Sequence, residues 1–307
     1  MIRLATSLMT LGMLSLFGCA SFFKATTYEA TAAGEVLNSL TKLTESANSV
    51  TPFGGDDDGF LFYIYSANQD GHYDLYKREK PLSNSATQMT DLGTSSFAQF
   101  PSYCKATDKV AFCMGYDIYI MPATKGKAMT QITSSTEYRE NHPSFSPNGE
   151  YLAYDRNKTT SGTNGSEIWI RKIKTGENIM LGKGWTPSFS RDGKNIVYAK
   201  SEDNKTSSIW IMDLDGENQV KITDNNTIKS AQRPRFSPDG KLVIFDGLDY
   251  SDNLDLYVVS ANGGDLTRLT INKSNDMQPY WSTDGYIYFA SDRGGKENEY
   301  NIWRFKY

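Results

Sequence analysis

The chain has 307 residues, 38% hydrophobic and 22% charged, a composition that folds and does not stay disordered. Its formal charge of −4 is mild and both signs are mixed along the chain, with no basic block or stripe, so nucleic acid is excluded as an expected partner. Aromatic residues reach 13%, with 19 Tyr, a bias that suits strands more than helices.

Residues 1–18 read as an export signal. Met1–Arg3 supplies a short positive start, and Leu4 to Phe17 is largely apolar, too short to span a bilayer comfortably. The run Leu16-Phe17-Gly18-Cys19 resembles the lipobox of bacterial lipoproteins, whose cysteine is acylated and becomes the first mature residue. That resemblance implies an acyl anchor on Cys19 that holds the protein to a membrane surface with no transmembrane helix. Ala20 stands where an inner-membrane retention Asp would sit, so the same resemblance implies the outer membrane, facing the periplasm. Read without it, the segment is an ordinary secretory signal with a chance cysteine.

Residues 19–50 are expected to be a tether ahead of the main domain. Ala33, Val36, Leu37, Leu40 and Leu43 recur at helical spacing, which predicts a short amphipathic helix from about Thr31 to Glu45.

Residues 51–307 carry one pattern six times. Six of the ten prolines, Pro52, Pro101, Pro143, Pro187, Pro234 and Pro279, are spaced 49, 42, 44, 47 and 45 apart. An aromatic follows two residues after five of them (Tyr103, Phe145, Phe189, Phe236, Trp281), while Phe53 comes one residue early. Then comes a turn of the kind Ser237-Pro238-Asp239-Gly240, whose proline and closing Asp-Gly suit a tight hairpin. A β-rich run ends in Tyr63, Phe112, Tyr154, Tyr198, Phe245 or Phe289, at 11 residues from the proline in five copies and 10 in the last. A third strand carries Tyr76, Tyr119, Trp169, Trp210, Tyr257 or Trp303, and short fourth strands follow, as in Gln131-Ile132-Thr133, Lys221-Ile222-Thr223 and Arg268-Leu269-Thr270.

Four antiparallel strands per repeat predict an all-β six-bladed β-propeller with a short N-terminal helix. A proline in each innermost strand is tolerable because that strand has a free edge toward the central channel. The sixth copy ends with its third strand, so part of Phe22–Glu29 is expected to supply the missing fourth strand, or else to serve as a flexible tether. Cys104 and Cys113 fall on neighbouring strands, with Cys104 facing about Lys109 and Cys113 about Phe100. That offset of about 13 Å is beyond disulfide reach and predicts two reduced, packed thiols.

Arg233-Pro-Arg-Phe-Ser-Pro-Asp-Gly240 followed by Leu254-Asp-Leu-Tyr257 resembles the repeat of TolB-like propellers, as does Pro279-Tyr-Trp-Ser-Thr-Asp-Gly285. The resemblance covers about residues 51–307. It implies the propeller fold and an envelope setting, while the α/β domain that precedes the propeller in TolB is absent from the segment before residue 51. The likeness extends to propellers of prolyl-oligopeptidase-type enzymes.

No catalytic set is legible. With only His72 and His142, a three-histidine metal site cannot be assembled. Asp56-Asp57-Asp58-Gly59 and Asp213-Leu214-Asp215-Gly216 complete no calcium-loop pattern. Asp74, Asp117, Glu167 and Asp255 each lie two residues before the third-strand aromatic, which marks them as repeat positions capping backbone N–H groups. The candidates are instead residues that break the repeat near the start of the inner strands: His142, Trp185, Arg233, Arg235 and Tyr280. They are expected at one channel mouth, with the loops Asn157–Ser166 and Gly247–Asn253 on the same face. The sequence thus leads to a lipid-anchored envelope binding or scaffold module, without cofactor or metal, whose partner is an envelope protein or cell-wall polymer. The alternative is an envelope enzyme acting on glycans or peptides through propeller carboxylates.

Overall fold

A computed structural model describes residues 26–27, 37–44, 49–54, 61–66, 73–93, 96–124, 128–160, 165–203, 205–224, 226–294 and 299–307. The export signal, Cys19, His72 and Asp56–Asp58 lie outside them. Among the described residues there is no α-helix, and no helix long and apolar enough to cross a membrane.

The described strands group into six antiparallel blades, five of four strands and the last of five. The first takes Ser49–Gly54, Leu61–Ser66, Tyr73–Arg78 and Thr87–Gln88; the second Gln99–Cys104, Lys109–Met114, Asp117–Pro122 and Thr130–Gln131. The third takes Tyr138–Phe145, Tyr151–Lys158, Glu167–Lys172 and Asn178–Lys183; the fourth Trp185–Phe189, Asn195–Ser201, Ser207–Asp213 and Val220–Lys221. The fifth takes Ser230–Phe236, Leu242–Leu248, Leu254–Ser260 and Thr267–Arg268, and the sixth Asp276–Trp281, Tyr286–Ser291 and Asn301–Lys306 with two strands from the N-terminal segment. The fourth and fifth blades touch through one parallel pair, Ser207 with Ser230.

Each blade is held by the residues that recur. The second-strand aromatic lies directly opposite the third-strand aromatic in all six: Tyr63 with Tyr76, Phe112 with Tyr119, Tyr154 with Trp169, Tyr198 with Trp210, Phe245 with Tyr257, and Phe289 with Trp303. Directly opposed aromatic pairs are the unit of sheet stabilisation. Between the first two strands, Gly240 closes its turn at φ 73° and donates its N–H to Ser237 O at 2.9 Å, a left-handed conformation that glycine adopts without strain. The buried apolar side chains form layers between neighbouring blades. Trp185, Val197 and Ile209 of the fourth meet Phe236 and Phe245 of the fifth, and Tyr280 and Tyr288 of the sixth meet Tyr76 of the first, which closes the ring.

The N-terminal segment corrects two expectations. Asn38–Lys42 is a strand within the range expected to be a helix, and it pairs with Asn301–Lys306 as the fourth strand of the sixth blade. The closing strand is therefore not in Phe22–Glu29; Thr26–Thr27 pairs outside Asn38–Lys42 as a fifth strand. A bulge between Asn38 and Thr41, with Ser39 at φ 57°, explains the misreading. It brings Leu37 and Leu40 into one core layer with Trp281 and Trp303, while Leu43 enters the next layer with Tyr280. Apolar residues three apart thus arise from a bulged strand and mimic helical spacing.

Candidate functional site

Every inner strand is bulged at its proline. The register shifts between Val50 and Phe53, Gln99 and Ser102, Asn141 and Ser144, Trp185 and Ser188, Gln232 and Arg235, and Met277 and Tyr280. The residue just before the proline takes a left-handed backbone at Phe100, His142, Thr186, Arg233 and Gln278, with φ between 49° and 55°. A left-handed first residue is one form of β-bulge, and a following proline already disfavours the right-handed helical region. The same bulge moves Cys113 one residue from its expected neighbour, so it faces Gln99, while Cys104 faces Lys109; both thiols are free and buried.

Two buried aspartates hold the bulges. Asp155 and Asp246 each follow the second-strand aromatic, where other blades carry Ile64, Cys113, Ala199 and Ala290. Asp155 Oδ1 lies 2.7 Å from His142 Nδ1 and accepts the Thr186 N–H of the next blade at 2.9 Å. Asp246 accepts from Arg233 Nε at 2.9 Å and from Arg233 Nη2, and also takes the Gln278 N–H at 3.2 Å. His142 and Arg233 are thus pinned to carboxylates.

The bulge also divides the candidates between two cavities. His142 and Trp185 border a cavity of about 280 Å³ between the second and third blades, together with Tyr116, Arg139, Asn141, Asp155, Asn157 and Ser166. Trp185 is only 8% exposed, and most of its ring packs in the layer between the fourth and fifth blades. Cys113 borders the same cavity, beside His142 and Asp155. Burial pushes its thiol well above the usual range, reinforced by the Asp155 carboxylate and opposed by the His142 N–H. A thiol so held is not the thiolate that nucleophilic catalysis needs. Glu140, 4% exposed, is pushed up to about 7 by burial and then by Asp117; its Oε2 has no hydrogen-bond partner among the described residues.

Arg235 and Tyr280 border a second cavity, of about 590 Å³, at the turn end of the inner strands. It is ringed by the residue just after the proline in five blades: Ser102, Ser144, Ser188, Arg235 and Tyr280. Such sharing of equivalent positions is what the central channel of a propeller provides. Ser102 Oγ accepts the Phe145 N–H at 3.1 Å and Ser144 Oγ the Phe189 N–H at 3.2 Å, linking neighbouring blades. Burial pulls the Arg235 guanidinium down to about 10, so it remains a cation at neutral pH. The five candidates therefore do not share one cavity: His142 and Trp185 line the smaller, Arg235 and Tyr280 the larger, and Arg233 neither.

The sequence reading missed Tyr116 and Arg139. Met114 and Asp117 pair across a two-residue turn in which Gly115 and Tyr116 have φ 60° and 79°, the signature of a type I′ hairpin. Tyr116 is 54% exposed and Arg139 lies over its ring at 4.5 Å. A tyrosine where this turn prefers glycine was the signal available.

Three of the repeated carboxylates serve the fourth strands. Asp74 accepts from Thr90 Oγ1 at 2.7 Å and from the Leu92 N–H at 3.2 Å; Asp117 takes the Ser135 N–H at 3.3 Å; Asp255 takes Thr270 Oγ1 at 2.8 Å. Glu167 departs from this scheme and binds Lys183, Arg156 and the Trp169 indole. Gly216 of the second acidic run closes an ordinary hairpin onto Asp213 O at 3.1 Å. No group of three or more metal-ligating side chains occurs among the described residues.

The fold is similar to that of several solved structures. TolB from Acinetobacter baumannii superposes with a TM-score of 0.64 at 16% identity, covering 82% of this chain and 65% of that one, so the match spans less than two thirds of its length. A putative TolB from Agrobacterium tumefaciens gives 0.60 at 18% identity, covering 84% and 90%. An oligogalacturonate lyase in complex with manganese gives 0.61 at 13% identity, covering 92% and 96%. At these identities the likeness speaks for the fold alone. No curated protein sequence matches. The family model described as TolB beta propeller domain matches residues 143–246 and 173–304, together more than half of the chain. The chain therefore belongs to the TolB beta propeller domain family.

Proposed function

We propose that the protein is a lipid-anchored cell-envelope module whose propeller binds a protein or cell-wall partner, with Cys19 as the anchor and the outer membrane as its site. The observation that carries this reading is the role of five aspartates in the second and third strands. Asp155 and Asp246 hold the inner strands in place, and the repeated aspartates serve the fourth strands, while cavities stay open at both ends of the inner strands. Aspartates committed to architecture beside open cavities suit recognition better than bond cleavage. The face bearing Tyr116 and Arg139 is the proposed contact surface, because an exposed aromatic held against a guanidinium is a typical anchor.

Crosslinking in the native envelope followed by mass spectrometry tests it. The double variant Tyr116→Ala, Arg139→Ala should lose the partner captured by the parent protein, with the propeller intact by circular dichroism. An unchanged set of partners would remove this surface from consideration. An acylated Cys19 peptide is expected in the same experiment, and an unmodified mature N-terminus elsewhere would refute the anchor.

A further inference from the structure

The larger cavity has a chemistry that the repeat does not require. Its charged lining residues among those described are Lys105, Arg191 and Arg235, and no carboxylate lines it. The chain as a whole is acidic, at −4, so this sign is opposite to the molecule's own. Lys105 and Arg191 are exposed, whereas Arg235 is half-buried, its Nη1 donating to Pro234 O at 3.1 Å. The carboxylates of the neighbouring turns make hydrogen bonds of their own. Asp192 and Asp239 accept the hydroxyls of Ser190 and Ser237, both at 2.7 Å, and Asp284 accepts the Tyr286 N–H at 3.0 Å.

The seryl hydroxyls add a second element. Ser102 and Ser144 use an oxygen lone pair to accept a backbone N–H, which leaves the hydroxyl hydrogen to donate. Ser188 occupies the equivalent position in the next blade and lines the same cavity. Hydroxyl donors beside a half-buried guanidinium, with exposed ammonium and guanidinium groups, suit a ligand bearing oxygen anions. At about 590 Å³ the cavity holds more than a bare ion and lies within the usual size of a small-molecule site.

We infer that the turn-end mouth of the channel binds a small ligand carrying a carboxylate or phosphate group, with Arg235 as its principal contact. This site lies beyond the bulge from Tyr116 and Arg139, and it does not depend on the partner proposed above.

Isothermal titration of the full protein with citrate, with glucose 6-phosphate and with glucose tests the inference. Citrate or glucose 6-phosphate should bind, with affinity falling as salt rises, and glucose should not; which anion binds distinguishes the carboxylate source from the phosphate source. Arg235→Gln should weaken binding by about tenfold or more, with Arg235→Lys partly restoring it. Should Arg235→Gln fold poorly, the exposed-pair double variant Lys105→Gln, Arg191→Gln leaves the core untouched and should weaken binding about threefold while flattening the salt dependence. Absence of binding by both anions, or equal binding by the parent, Arg235→Gln and the exposed-pair variant, overturns the inference. Tyr116→Ala, Arg139→Ala should leave anion binding unchanged, so failure here and loss of the envelope partner are separate results.

Discussion

Asp246, with no exposed surface, grips Arg233 through both carboxylate oxygens and at the same time takes the Gln278 N–H of the following blade. One carboxylate thus fixes the left-handed residue before the proline in two successive blades.

Removing Arg233 strands a buried carboxylate, and removing Asp246 leaves a half-buried guanidinium and the Gln278 N–H without their acceptor. Asp246→Ala and Arg233→Ala should each cost about 3–5 kcal/mol of stability in urea denaturation. The double variant Asp246→Ala, Arg233→Met should cost less than the two singles added together, because neither leaves an unpaired charge.

Thr44 is the fastener of the ring. Its Oγ1 accepts the Ile302 N–H at 2.9 Å and donates to Asn301 Oδ1 at 3.0 Å, while the Leu43 N–H reaches Ile302 O at 2.8 Å. Thr90, Thr133, Thr223 and Thr270 accept the matching N–H in four other blades. Thr44→Val should cost about 1–3 kcal/mol by leaving that buried donor without its acceptor, and Thr44→Ser should cost much less.

Glu140 makes stability depend on pH. Its folded value of about 7 lies above the ordinary 4.5, so the folded state holds a proton that the unfolded state releases between these values. The penalty is absent below about pH 4.5, grows as pH rises, and is complete above about 7. Glu140→Gln should stabilise the protein by about 1–2 kcal/mol at pH 8 and much less at pH 5, allowing for partial screening. Urea midpoints at the two pH values decide it.

Cys104 and Cys113 should both read as thiols. With 3% and 2% exposure, they should react with a thiol reagent only at the rate of unfolding, and intact mass should show no loss of two hydrogens.

Much of this fold is legible because a propeller repeats its solution. The prolines, the turn glycines and the opposed aromatics each recur at positions where only a few residue types serve. The bulge is not legible: Phe100, His142, Thr186, Arg233 and Gln278 share a backbone conformation and no side-chain property. That hidden feature displaced the partner of Cys113 by one residue and separated Arg235 and Tyr280 from His142 and Trp185. The closing strand was legible but overlooked, since Lys42-Leu43-Thr44 matches Lys221-Ile222-Thr223 and Arg268-Leu269-Thr270. The leucine spacing produced by the Ser39 bulge favoured a helix instead.

Pairing Asn38–Lys42 with Asn301–Lys306 also has a temporal side. The Thr44 hydroxyl meets a backbone group 258 positions later in the chain, so the contact cannot form until Ile302 has been made. Until then the early strand has an open edge, and the face of the first blade that packs on the sixth stays uncovered. Long-range pairing of this kind slows folding and leaves a window for mispairing. A strand made early thus keeps its edge uncovered until its partner, 258 positions later, has been made.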